Sequence, residues 1–197
     1  MNFKKRVVDN KLVLNVTNKN INIIIKRTKK ILNLCDKNSY KLKFDFIEKI
    51  KDEEKLIELK NIEKAVNIKD TKKRYSFIYD SVCEYIDNKY MKCNYCDFKD
   101  DVCIYFRYHK NFEHKNGCCF SDARGGLCEN LVNNSCKIKS ISCKLYSCEY
   151  LRNNKVNFKM KNIPLIKYFF NIKQKYYIKY SFFKDKDYVM NKLIENK

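Results

Sequence analysis

The feature that most constrains this chain is a dense cluster of cysteines in its middle third. Nine of its eleven cysteines fall within the 56 residues from 93 to 148, and a tenth, Cys83, lies just upstream. A segment this rich in cysteine is typical of small folds held by disulfides or bound metal. All three glycines also lie in this segment, where they permit the tight backbone turns that surround a metal.

The choice between disulfides and metal ligands depends on the cellular compartment. The N-terminus is basic, but Asp9, Asn10 and Lys11 interrupt any apolar run, so it lacks the pattern of a secretory signal. No apolar run is long enough to predict a membrane span. The sequence therefore predicts a cytoplasmic chain with reduced thiols, and clustered reduced thiols favour metal binding. Disulfides, reactive thiols and simply buried thiols are the alternatives.

The predicted ligands are the cysteines of this segment. Cys93 and Cys96 form a C-x2-C pair, whose two thiolates can reach one tetrahedral ion. Neighbouring side chains such as those of Cys118 and Cys119 point apart in extended backbone, so they could serve two ions or bridge a cluster. The predicted metal ligands are Cys93, Cys96, Cys103, Cys118, Cys119, Cys128, Cys136, Cys143 and Cys148, with the only two histidines, His109 and His114, as further candidates.

The number of thiols leaves the metal open. Nine cysteines are enough for two four-thiolate sites with one left over, and a histidine ligand or a single site with spare thiols is also compatible. The predicted cofactor is zinc, or iron in the form of an ion or an iron–sulfur cluster. The run C-x2-C-x2-C-x3-C-P is absent, which excludes that ferredoxin arrangement but not every iron–sulfur cluster.

The later cysteines have a familiar order. Gly117 precedes the pair Cys118-Cys119, a G-x-C-x-x-L element follows at residues 126–131, and Cys136, Cys143 and Cys148 come after it. This order resembles the cysteine-cluster family of zinc- or iron-chelating domains over residues 117–148, about a sixth of the chain. The resemblance implies metal chelation, with an iron–sulfur centre among its forms, and no particular reaction.

Catalytic motifs are missing from the sequence. It contains no nucleophile elbow, P-loop, H-E-x-x-H or dinucleotide-binding fingerprint. A zinc deaminase would need H-x-E and P-C-x-x-C motifs, but no glutamate lies two residues after either histidine, and Pro164 is the only proline. The sequence thus favours a binding protein over an enzyme, and it leaves open a redox enzyme or accessory protein built on an iron–sulfur centre.

The net charge of +20 is concentrated in the two flanks. Residues 1–75 carry 21 Lys/Arg against 10 Asp/Glu and residues 151–197 carry 12 against 3, whereas residues 76–150 are balanced. A genome rich in A/T codons would enrich lysine whatever the function of the protein, so the positive charge by itself does not indicate a function. The alternative function is a nucleic-acid-binding protein with a structural zinc module and basic helical flanks. The Lys-Tyr run at residues 175–180 could stack on bases or pack in a core.

The apolar pattern predicts a mainly α fold with a central irregular cysteine-rich module and a short N-terminal β element. Three regions follow: basic, mainly helical residues 1–92; the metal-binding module, residues 93–150; and basic C-terminal helices, residues 151–197. Cys35 and Cys83 fall on helical apolar stripes and are assigned to the core.

Individual elements follow from spacing. The predictions are a strand through Leu12, Leu14 and Val16; a helix from Ile21 to Cys35; a helix from near Lys43 to near Val66; a helix from Asp70 or Thr71 to Tyr90; a helix starting at Pro164 with the stripe Leu165, Phe169, Ile172 and Tyr176; and a last helix from Asp185 with Val189, Met190, Leu193 and Ile194 apolar.

Overall fold

A computed structural model describes residues 4–93, 140–147, 149–153 and 155–197, together with Asn130 and six two-residue strands between positions 98 and 136. The described part is mainly helical with a small N-terminal sheet, as the sequence predicts. The chain is divided into two compact units. The first comprises Met1–Ile78 and Pro164–Phe170, and the second comprises Tyr79–Ile163 and Asn171–Lys197.

The first unit contains a three-stranded sheet. Strands β1 (Lys5–Val8) and β2 (Lys11–Val16) form an antiparallel hairpin, and β3 (Lys41–Phe46) pairs with β2 in parallel. Asp9 and Asn10 connect the hairpin with φ angles of 47° and 58°. Short polar residues tolerate this left-handed conformation, and two such residues in a row give the turn that matches strand twist. The predicted strand is therefore confirmed as β2, the centre of the sheet.

Two short helices replace the single helix predicted after β2. They are α1 (Ile21–Lys26) and α2 (Thr28–Asn38), separated at Arg27. The predicted apolar stripe is confirmed in part across both helices, because Ile21, Ile24, Thr28, Ile31 and Cys35 are buried, whereas Ile25 and Leu32 are half-buried. Together α1 and α2 make the crossover that a parallel β2–β3 pair requires.

The helix predicted from near Lys43 was wrong at its start. Residues 41–46 form β3, and the helix α3 runs only over Glu53–Asn67. Leu42 and Phe44 are buried while Lys41 and Lys43 are exposed, which is the alternation of a strand with one covered face. The helix begins at Asp52, whose carboxylate accepts a hydrogen bond from the Lys55 N–H at 3.1 Å.

Helix α3 also covers the outer edge of β3. The Asn67 side-chain amide donates to the Leu42 carbonyl at 2.8 Å and accepts from the Leu42 N–H at 2.9 Å. Glu63 accepts from the Phe44 N–H at 2.6 Å. These side chains satisfy backbone groups that would otherwise present an open edge to other chains.

Replacing Asn67 with alanine should therefore lower the free energy of unfolding by about 2 kcal/mol, because two backbone groups of the buried Leu42 lose their partner. Asn67→Asp keeps the acceptor for the Leu42 N–H but sets a carboxylate oxygen against the Leu42 carbonyl, so its loss should be at least as large. Urea denaturation measures both, with the exposed Asn33→Ala on α2 as the control. A loss for Asn67→Ala no larger than that for Asn33→Ala would show that the edge contact does not matter.

Helix α4 (Thr71–Cys93) is the longest element and begins where the sequence predicts. The Asp70 carboxylate accepts from the Lys73 N–H at 2.6 Å. The boundary between the two units falls within this helix, after Ile78. Its last residue is Cys93, the first of the predicted metal ligands.

The described part of the second unit comprises residues 79–93 of α4, the six short strands, a short 3-10 helix (Met160–Asn162) and further α-helices. The strand pairs are β4 (Phe98–Lys99) with β5 (Val102–Cys103), β6 (Phe120–Ser121) with β7 (Gly126–Leu127), and β8 (Leu131–Val132) with β9 (Ser135–Cys136). The helices are α5 (Ile141–Leu145), α6 (Glu149–Asn153), α8 (Ile172–Tyr180) and α9 (Lys186–Glu195), whereas α7 (Pro164–Phe169) belongs to the first unit. Among the described residues, no helix is both long and apolar enough to cross a membrane.

The single helix predicted after Pro164, with one apolar stripe through Tyr176, is two helices in the structure. Helix α7 does begin at Pro164, but it ends at Phe169, and the Asn171 side chain starts α8 with a reciprocal capping box involving Gln174. This break changes the register, so Ile172 is 86% exposed and Tyr176 is 61% exposed. Helix α9 is capped by Asp185 as predicted and buries Val189, Met190 and Leu193, while Ile194 lies at the surface.

Candidate functional site

Cys143 is the one predicted ligand whose side chain the structure describes. It lies in α5, is half-buried and forms no disulfide. Cys93, Cys103 and Cys136 are placed by their backbone only, at the end of α4 and in β5 and β9. The other predicted ligands, Cys96, Cys118, Cys119, Cys128, Cys148, His109 and His114, lie outside the described residues.

The sulfur of Cys143 is held by a backbone hydrogen bond. The Phe183 N–H, in the loop between α8 and α9, donates to Cys143 Sγ at 3.3 Å. Such N–H···S contacts orient metal-bound thiolates and tune the metal they hold. The described part of the chain gathers no group of three or more metal-ligating side chains, so Cys143 there has no co-ligand set around it.

Buried serines fix the short helix that carries Cys143. Ser140 is fully buried, and its hydroxyl donates to the Ser181 carbonyl at 3.1 Å and accepts from the Cys143 N–H at 3.4 Å. The Ser142 hydroxyl donates to the Ile178 carbonyl at the end of α8. Because a five-residue helix has little stability of its own, these bonds to α8 and its C-terminus set the position of the thiol.

A buried tyrosine contacts the start of the helix that carries this thiol. The Tyr79 hydroxyl of α4 accepts from the Ile141 N–H at 3.3 Å. Burial raises the pKa of Tyr79 well above its ordinary value; the charges of Cys83, Cys143 and Asp185 add to the rise, and the Ile141 hydrogen bond opposes it. The tyrosine therefore stays a neutral hydrogen-bond partner at physiological pH.

Two ion pairs flank the same region. Lys144 of α5 pairs with Asp87 of α4, and Lys186 of α9 pairs with Asp80 of α4 at 2.6 Å. The Lys144 side chain is only 8% exposed, so its charge is largely withdrawn from water and compensated by the carboxylate. The pairs attach the segments around Cys143 to the long helix.

The two cysteines assigned to the core are confirmed there. Cys35 and Cys83 are each 2% exposed. Burial, and secondarily the charge of Asp36, raises the pKa of Cys35 to about 11. A thiol with this pKa stays protonated at neutral pH, which makes Cys35 a packing residue rather than a ligand.

The cysteines also border the shortest elements of the chain. In the β6–β7 ladder, Phe120 pairs with Leu127, and the sequence neighbours of that pair are Cys119 and Cys128. Cys103 and Cys136 are themselves the strand partners of Phe98 and Leu131. Each ladder has only two residues per strand, and isolated two-stranded hairpins are marginal in water. A ladder of this length is stable only with further strands, packing against a helix or a cross-link.

No family model, curated protein or solved structure matches this chain. Only its own residues therefore bear on its function.

Two features were missed by sequence reasoning. Glu58 of α3 has a buried carboxylate oxygen without a hydrogen-bond partner among the described atoms, a state that no sequence pattern signals. Helix α8 presents Ile172, Tyr176 and Tyr180 to solvent, although the sequence pattern is equally that of a core helix. The spacing i, i+4, i+8 was visible in the sequence, but which face is covered depends on the tertiary packing.

Proposed function

We propose that this chain is a metal-binding protein whose central cysteines hold zinc or iron as thiolates. The observation that carries the proposal is Cys143, a half-buried thiol without a disulfide, whose sulfur accepts a backbone N–H bond and whose helix is fixed by buried hydrogen bonds to α4, to α8 and to Ser181. A preorganised sulfur with this support is what a metal site needs from each ligand.

The short ladders support the same function. Isolated ladders of two-residue strands have little stability of their own. In each of the three ladders, a cysteine either occupies a paired position or is the sequence neighbour of one. Thiolate–metal bonds would supply the missing cross-links, because structural metal binding contributes its free energy directly to folding. The proposal includes a reducing, cytoplasmic environment, which keeps the thiols available.

The test is metal analysis of the full chain purified without oxygen. Zinc bound by thiolates gives a colourless protein, whereas an iron–sulfur cluster gives visible absorption and opens the redox alternative. Cys143→Ser should lower the metal content, as should Cys118→Ser, Cys119→Ser and Cys128→Ser, because the serine hydroxyl is a poor ligand for a soft thiolate site.

The matched controls are Cys35→Ser and Cys83→Ser. Both remove a thiol from the core, so they should leave the metal content near that of the wild type and cost roughly 1–3 kcal/mol of stability. Wild-type protein without metal after anaerobic purification and metal reconstitution would refute the proposed function. Full metal loss in Cys83→Ser at retained folding would instead extend the ligand set along α4 from Cys93 back to Cys83.

A further inference from the structure

Helix α8 exposes a stripe of apolar and aromatic side chains. Ile172, Tyr176 and Tyr180 are 86%, 61% and 54% exposed, while Gln174 and Ile178 on the opposite side are buried. Positions four residues apart lie nearly above one another on a helix, so the three side chains form one continuous face. We name the set Ile172, Tyr176 and Tyr180 the α8 face.

The two tyrosines of the α8 face already contact each other. The ring centroids of Tyr176 and Tyr180 are 4.6 Å apart with an angle of 49° between the rings. The Lys179 ammonium lies 4.9 Å from the centre of the Tyr180 ring. An exposed aromatic pair next to a lysine offers flat surfaces for stacking and a positive charge in the same place.

The charged side chains of α8 itself all have one sign. The nine residues of α8 include Lys173, Lys175 and Lys179 and no carboxylate, within a C-terminal segment 151–197 of net charge +9. Lys173 and Lys179 are exposed. A partner of complementary chemistry is therefore a polyanion that also carries flat, apolar rings.

We infer that the α8 face binds single-stranded nucleic acid, with bases stacked on Tyr176 and Tyr180 and phosphates bound by Lys173 and Lys179. Single strands expose base faces, whereas a duplex has them occupied by neighbouring bases. An interfacial membrane helix buries mainly Trp, Phe and Leu, whereas this face carries one isoleucine and two tyrosines. The inference uses none of the cysteines of the proposed metal function, so either proposal can fail while the other holds.

The inference is tested with the full, metal-loaded chain and a fluorescent oligothymidylate of about 20 nucleotides, long enough to cover one stacking site. Fluorescence anisotropy at about 50 mM salt should show binding that weakens steeply by about 200 mM. The double variant Tyr176→Ala/Tyr180→Ala should bind more than about tenfold more weakly, and Tyr176→Phe/Tyr180→Phe should bind like the wild type, because phenylalanine keeps the ring face.

The lysines are tested by the salt dependence. Lys173→Gln/Lys179→Gln should reduce the slope of log affinity against log salt by about one per lysine. The matched control, Lys29→Gln/Lys30→Gln, removes the same charge from the exposed surface of α2 and should change the slope less. Circular dichroism and the melting temperature check that each variant is folded.

The inference would be overturned by any of these results: no binding of the oligonucleotide at low salt, an equal slope change from both lysine pairs, affinity unaffected by loss of both rings, or tighter binding to duplex than to single strand. Tyrosine-dependent binding to phosphatidylserine vesicles without oligonucleotide binding would also overturn it and would assign the α8 face to a membrane surface. Metal content is measured in parallel, so a failure here is distinguished from failure of the metal site.

Discussion

Treatment with a strong chelator is expected to raise the rate of proteolytic cleavage within residues 93–148 by more than about tenfold, while the helices retain much of their circular dichroism. Structural zinc contributes roughly 10–16 kcal/mol to small folded modules at neutral pH, and a tenfold change in the open population needs only about 1.4 kcal/mol. Because cleavage follows the population of the locally opened state, loss of even a small share of the metal's contribution is measurable.

Limited proteolysis followed by mass spectrometry locates the cuts. Residues 4–78 serve as the internal control, since the first unit has its own buried core and, among its described residues, contains one cysteine, Cys35, which is packed in that core. Adding zinc or iron back should restore protection. Unchanged cleavage in residues 93–148 after verified metal removal would contradict a structural role of the metal in this segment, whereas protein purified without any metal to remove would contradict metal binding itself.

The sequence predicted the elements whose signals are local. Asp70, Pro164 and Asp185 mark the starts of α4, α7 and α9 because capping carboxylates and an N-terminal proline act within one helical turn. The core positions of Cys35 and Cys83 followed from helical spacing for the same reason. These predictions required no knowledge of the tertiary structure.

Strand pairing was less accessible. Most of the six-residue strand β3 fell within the helix predicted from near Lys43, although Leu42 and Phe44 alternate with exposed lysines. Strand β1 was missed because its four residues are all exposed, so they carry no apolar alternation. The signal that could have located it is the Asp9-Asn10 turn, two residues that accept the left-handed conformation of a tight hairpin.

The candidate site was predictable in residue type but not in geometry. Cysteine density pointed to Cys143, but the Phe183 N–H that holds its sulfur lies 40 residues away, in a loop that shows no pattern. The serines that fix its helix look like ordinary surface residues in the sequence. Similarly, α8 could be read as a core helix until the break at Asn171 placed Ile172 and Tyr176 at the surface.

Stability should also depend on the protonation of Glu58. Its side chain is half-buried on α3, and burial raises its pKa from 4.5 to about 7; Glu54 and Asp52 add to the rise, and Lys55 opposes it. One carboxylate oxygen has no partner among the described atoms, so the ionised form gains little to offset the loss of water. The folded state therefore holds this proton more tightly than the unfolded chain does.

The sign of the pH effect follows from this difference. Below about pH 4.5 both states are protonated, and the contribution of Glu58 to stability is fully present. As the pH rises to about 7, the unfolded chain releases its proton first, and the free energy of unfolding falls by about 2–3 kcal/mol. Above that pH the folded protein carries a buried carboxylate, and the loss is complete.

The variant Glu58→Gln cannot titrate at this position. Its free energy of unfolding should therefore be equal to or slightly below that of the wild type near pH 4, and about 2–3 kcal/mol above it near pH 8. Urea denaturation across this range measures the difference between the two proteins, which cancels the contributions of all other titrating groups. The exposed Glu84→Gln on α4 is the control, and its curve of unfolding free energy against pH should run parallel to that of the wild type.

If the curves of Glu58→Gln and the wild type stay parallel between pH 4 and pH 8, the Glu58 carboxyl is not desolvated in solution. A gap that opens between pH 4.5 and 7 and then stays constant would show that α3 tolerates a buried charge at neutral pH at the expense of its own stability.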